Sequence, residues 1–152
     1  MNIFMPEEML TDSAKALDDR RLIKQILECK TILDVVLDKT KKGYAKHPVV
    51  AYYKDYPYFV AEYGYFACLE YWYRTKKNHK YIHYFLYKSL MFCEVYPQPF
   101  YCEGLKTDPN CIRTTENTIE LFRAKLCKKW DNDKHPPKWT NRELPKWYHS
   151  NR

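Results

Sequence analysis

Glu28 stands in the run Leu17-Asp18-Asp19-Arg20-Arg21-Leu22-Ile23-Lys24-Gln25-Ile26-Leu27-Glu28, a carboxylate among cations on the polar side of an otherwise apolar stretch. On a helical wheel Arg21, Gln25 and Glu28 fall at i, i+4 and i+7 and share a face, with Arg20 and Lys24 at its border. Lys24 then sits one turn before Glu28, and Arg21 two turns before it. A carboxylate held among cations in this way makes a possible catalytic site on DNA, the acid able to move protons and the arginines and lysine able to hold phosphates. The same spacing also fits a solvated helix face with an ordinary, weak surface ion pair, and spacing leaves both readings open.

The element that must position these residues is an amphipathic helix. Leu22, Ile26, Cys29, Leu33 and Val36 recur at four- and three-residue steps and form an apolar stripe that faces a core. Thr11 or Asp12 can cap its start, and Lys41-Lys42-Gly43 suits its end, so the spacing predicts one long helix between them. Pro48, after His47, opens a short helix reaching Lys54. Pro57 opens another, from Tyr58 to Thr75, with Phe59, Tyr63, Phe66 and Tyr73 close to one stripe. After a basic break over 74–80, the segment from Tyr81 to Val95 is apolar on most sides (Ile82, Phe85, Leu86, Leu90, Met91), the pattern of a central buried helix. Pro97, Pro99, Gly104 and Pro109 make a long loop of Tyr96–Arg113, and Thr114 or Thr115 caps a last helix through Ile119, Phe122, Leu126 and Trp130. From residue 135 onward the chain is a proline-broken tail rich in aromatic and basic residues. It either packs on the body through Trp139 and Trp147 or lies along nucleic acid.

These elements imply an all-α fold: one compact helical domain over residues 1–152, a bundle of four to five helices with a long loop and an irregular tail over 135–152. Only three glycines occur, which opposes a turn-rich sheet fold and a glycine-rich phosphate loop. Aromatics reach 17% and the formal charge is +7, a mixture that suits stacking on bases and contacting phosphates; amphipathic residues at the core edge with a solubilising charge give the same numbers. No apolar run is long enough to span a membrane, and the start Met1-Asn2-Ile3-Phe4-Met5-Pro6-Glu7-Glu8 lacks the pattern of a signal peptide, so a cytoplasmic protein is expected. Cys29 and Cys68 fall at apolar helix positions. Cys93, Cys102, Cys111 and Cys127 lack zinc-site spacing, so reduced cysteines and no metal or cofactor are expected, with a bond or zinc between Cys102 and Cys111 the alternative.

Several stretches together resemble the pyrimidine-dimer DNA glycosylase superfamily: Met1-Asn2-Ile3-Phe4, the Arg20-Arg21-Leu22-x-Lys24-Gln25 core with Glu28, His47-Pro48 followed by aromatics, and the helix from Tyr56 to Trp72. The likeness is to its branch of small bacterial and phage proteins with an Arg-Arg-Leu-Gly-Lys-Gln signature. The chain looks like a small T-even-type phage protein of that branch, which would place it in the host cytoplasm. The resemblance covers roughly residues 1–75; beyond it Pro136-Pro137-x-Trp139 and His149-Ser150 match. It implies a compact all-helical enzyme that flips nucleotides out of duplex DNA, attacks the sugar C1′ with the N-terminal amine, and is assisted by a glutamate on its first long helix.

Carried over by position, that glutamate is Glu28 when Arg21-Leu22 is set against the family's His-Leu pair. The characterised glycosylase exposes a threonine amine, whereas Asn2 is too large a neighbour for efficient removal of the initiator, so the resemblance implies that any attacking amine belongs to Met1, the alternative being that there is none. The DNA-contacting set implied is Asn2, Arg20, Arg21, Lys24, Gln25, His47 and His149, with His47 either touching phosphate or base or acting as a helix cap. Three readings follow: a monomeric DNA glycosylase, with or without lyase activity, on a damaged or modified base in double-stranded DNA; a non-catalytic nucleic-acid-binding accessory protein; and a hydrolase of the glycosidic bond of a free nucleoside or nucleotide.

Overall fold

The computed structural model describes residues 1–38, 43–95 and 116–150. Among them are helices α1 (Leu10–Ala16), α2 (Asp19–Leu37), α3 (Pro48–Tyr53), α4 (Pro57–Thr75), α5 (Ile82–Val95) and α6 (Glu116–Asn132), and no strand, so the fold is all-α. The expected loop over 96–113, the pairing of Cys102 with Cys111 and the capping of α6 by Thr114 or Thr115 lie outside the described residues.

The apolar stripe read on α2 is its buried face. Leu22, Ile26, Cys29 and Leu33 are sealed from solvent, and they pack with Val60, Ala61, Tyr63, Ala67 and Cys68 of α4 as the centre of the core. Burying each such aliphatic side chain stabilises by about 1.5–3 kcal/mol. Cys29, Cys68 and Cys127 are free thiols, and among the described residues no cluster of three or more His, Cys, Asp or Glu could hold a metal ion. Among those residues no helix is long and apolar enough to cross a membrane.

The single helix expected from Thr11 to Gly43 is two. α1 stops at Ala16, Leu17 is extended (φ −73°, ψ 138°), and α2 starts after Asp18 and ends at Leu37. No glycine or proline marks this break; the C-terminal tail makes it. Trp139 Nε1–H donates to Ala16 O at 3.0 Å, and Lys138 O accepts the Asp19 N–H at 2.8 Å, so the backbone groups freed at the break are satisfied from more than a hundred residues away. Asp18, buried in the break, accepts the indole N–H of Trp130 at 2.7 Å.

The tail packs on the body. Trp130 is fully enclosed and stacks with Trp147 (centroids 5.7 Å apart), with Trp139 and Tyr148 against it edge-on. Beside this aromatic cluster, buried Arg74 of α4 donates to Asp19 at 2.9 Å and to Glu70 at 2.8 Å. From the tail, the Thr140 hydroxyl donates to the other oxygen of Asp19, and Arg142 grips both oxygens of Glu70, sharing one with Arg74. A buried arginine shared between two acids, each bonded again, keeps its charge compensated.

α5 is not the central buried helix that its composition suggests. It packs on α4 through Phe85, which is fully buried, whereas Leu86, Tyr87 and Leu90 are exposed. Its main contact is with α4, with Tyr84 also donating to Asp34 of α2 at 3.0 Å, and a helix laid chiefly against one neighbour leaves its outer face exposed whatever that face contains. The contact is close because Gly64 presents no side chain to the Phe85 ring, and a methyl group there would overlap the ring carbons. Gly64→Ala gains about 1 kcal/mol of helix propensity but loses about 1–3 kcal/mol to overpacking. We expect a lower thermal midpoint, recovered when Phe85→Leu is added; a Gly64→Ala protein as stable as the parent would show the approach to be looser than described.

Candidate active site

The first residues of the chain have no regular structure, yet Ile3, Phe4 and Met5 are buried. A buried irregular segment needs partners for its amides and carbonyls, and α2 and α4 provide them. Gln25 Oε1 accepts the Phe4 N–H at 2.9 Å while Gln25 Nε2–H donates to Asn2 O at 3.2 Å, and the hydroxyl of Tyr63 donates to Phe4 O. One turn further along α2, Glu28 Oε2 accepts the Asn2 N–H at 3.1 Å. This register leaves the amine of Met1 3.9 Å from Glu28 Oε1, with both side chains largely enclosed, at 6% and 12% exposure.

Beside this pair lies a cleft of about 250 Å³ lined by Phe4, Arg20, Arg21, Lys24, Lys129 and Asp133. Neither Met1 nor Glu28 is a wall of it; Lys24 joins the two, lining the cleft and lying 3.9 Å from Glu28 Oε1. Lys24 is 67% exposed, so this link alone is an ordinary weak pair, and the enclosure of Glu28 sets the site apart from a solvated helix face. Burial pushes the Glu28 carboxyl above the usual glutamate range. The Asn2 N–H, Lys24, the terminal amine and Lys129 pull the other way without cancelling it. A carboxyl in that balance can both accept and return a proton closer to neutral pH than a free glutamate does.

Arg21 grips Asp133 with two nitrogens and faces Asp18 at 3.6 Å, and Arg20 reaches Asp133 at 2.8 Å. The hydrogen bonds from Arg21 hold the Asp133 carboxyl below its usual range, whereas burial outweighs the Trp130 and Arg21 contacts and raises that of Asp18.

Of the residues expected to act, Met1, Asn2, Gln25 and Glu28 meet at one point, and Arg20, Arg21 and Lys24 line the adjoining cleft. Gln25 is placed differently from the expectation that it faces DNA: it is 1% exposed and spends its amide on the N-terminal backbone. Asn2 joins the site through its backbone groups. His47 caps α3, its Nδ1 accepting the Val49 N–H at 3.2 Å, and His149 is exposed beyond Tyr148; neither lines the cleft. Phe4, Lys129 and Asp133 were missed by the sequence reading. The available signal was the four-residue step from Lys129 to Asp133 at the end of α6, but nothing local ties that step to α2.

Because Lys129 lowers the proton affinity of Glu28, Lys129→Met is expected to move the Glu28 titration, followed by carboxyl carbon NMR, to still higher pH. In the parent it should already lie above the ordinary 4.5. A parent titration at or below 4.5, or a downward move in the variant, would contradict the balance of burial and charge described.

The family model described as pyrimidine dimer DNA glycosylase matches residues 1–84, which include the N-terminal segment, all of α2 and all of α4. Curated proteins and solved structures gave no match. The matched stretch carries the amine, the glutamate and the helix that holds them together, and on that match the chain belongs to the pyrimidine dimer DNA glycosylase family.

Proposed function

We propose that the protein is a DNA N-glycosylase with associated lyase chemistry, in which the Met1 amine is the nucleophile and Glu28 the assisting carboxylate. The observation that carries this reading is the 3.9 Å approach of the Met1 nitrogen to Glu28, in an enclosed position beside a cationic cleft. Family membership supports DNA as the substrate. The target is a damaged or modified base in duplex DNA, flipped out of the stack at a cost of a few kcal/mol.

The uncharged amine attacks C1′ of the target sugar, and the glycosidic bond breaks with its electron pair leaving on the base, which then takes a proton. Carboxylate Glu28 steadies the positive sugar, and its raised proton affinity lets it carry the proton lost by the attacking nitrogen. Opening of the sugar ring gives a Schiff base between C1′ and the Met1 nitrogen. Removal of a C2′ proton from that imine expels the 3′ phosphate and cuts the strand. Arg20, Lys24 and Lys129 hold flanking phosphates, a task needing charge but no base recognition.

Glu28→Gln removes the proton carrier and leaves the cationic walls intact. Its duplex affinity is expected to stay close to that of the parent while base release falls by about 10²–10⁴-fold. On abasic duplex the parent should form a borohydride-stable covalent complex. A Glu28→Gln protein that releases base at the parent's rate, or a parent that is never trapped, would overturn the proposal.

A further inference from the structure

Asp133 follows the last residue of α6 and lies beyond the stretch that the family model matches, yet its carboxylate sits in the cleft at the start of α2. Among the described residues lining that cleft it is the one acid, facing Arg20, Arg21, Lys24 and Lys129. It holds Arg21 with two hydrogen bonds and Arg20 with one contact of 2.8 Å. The two arginines are bound very unequally. Arg21 is 14% exposed and also faces Asp18, so breaking its grip on Asp133 would strand charge in a partly enclosed place. Arg20 is 52% exposed and meets Asp133 at 2.8 Å, a contact of the class that contributes at most about 1 kcal/mol and exchanges readily for another anion.

We propose that Asp133 is an internal competitor for DNA phosphate: it holds Arg20 in the free protein, and a backbone phosphate entering the cleft takes Arg20 from it while Arg21 stays in place. This rests on the reading that the cleft binds DNA. Asp133 touches no substrate atom; it is a positioning residue acting through Arg20. Its effect is selectivity. Phosphate contacts bind any sequence equally, so an acid that opposes one of them weakens binding to undamaged duplex and leaves a larger share of the affinity to the flipped nucleotide.

The test is binding of an undamaged fluorescent duplex, measured over a range of salt, for the parent, Asp133→Asn, Arg20→Gln and the double variant. Asp133→Asn is expected to bind about five-fold more tightly, the scale of an exposed ion pair. Arg20→Gln should flatten the slope of log affinity against log salt by about one unit, and most of the Asp133→Asn gain should vanish when Arg20 is already glutamine. A gain undiminished in the double variant, or Asp133→Asn binding no better than the parent, would overturn the proposal. Should Asp133→Asn fail to fold, the unmodified protein still decides: on adding duplex the guanidinium NMR signals of Arg20 should move while those of Arg21 keep their free positions, and movement of both or of neither would refute the exchange. A parent that does not bind duplex even at low salt would instead overturn the DNA-binding reading itself.

Discussion

The carboxamide of Gln25 decides where the chain begins. Ile3, Phe4 and Met5 gain stability by entering the core, but they drag backbone amides and carbonyls with them, and each one left unpaired would cost about 1–3 kcal/mol. Gln25 answers a donor and an acceptor with one planar group, which fixes the segment in position and direction. Glu28, one turn on, then meets the Asn2 amide and brings its other oxygen toward the terminal nitrogen. Apolar burial supplies the drive, and the polar clamp converts it into geometry.

Charge is layered around that geometry. Close to Glu28, burial outweighs the surrounding cations and the carboxyl's proton affinity rises. Further out, the arginines of α2 are restrained by Asp133, while Lys24, largely exposed, lies 3.9 Å from Glu28. An enclosed acid therefore lies beside a basic surface whose field favours anions. The C-terminal tail contributes indirectly: its tryptophans seal Trp130 over Asp18, and its backbone and indole hold the start of α2, from which Arg20 and Arg21 emerge.

Much of this was legible in the sequence where the signal is local. The stripe of Leu22, Ile26, Cys29 and Leu33 identifies the buried face of α2, and Pro48 and Pro57 mark the starts of α3 and α4. Glu28 stands in a motif confined to a few turns, and the family resemblance is carried by short stretches spread over residues 1–75. What escaped depends on distant partners. The break at Leu17 needs Lys138 and Trp139, the burial of Gln25 needs the N-terminal segment, and Lys129 and Asp133 enter the site only because the fold brings the end of α6 to the start of α2. α5 shows the converse: being apolar on most sides does not tell a helix how many neighbours it will have.

The proposed chemistry requires the terminal nitrogen to be the reacting atom. Acetylating that amine removes its nucleophilicity and hardly changes the cleft, so the single-turnover rate of base release by the acetylated protein is the decisive measurement. The expected result is a loss of at least about 10²-fold with duplex affinity retained; base release at the unmodified rate would contradict it.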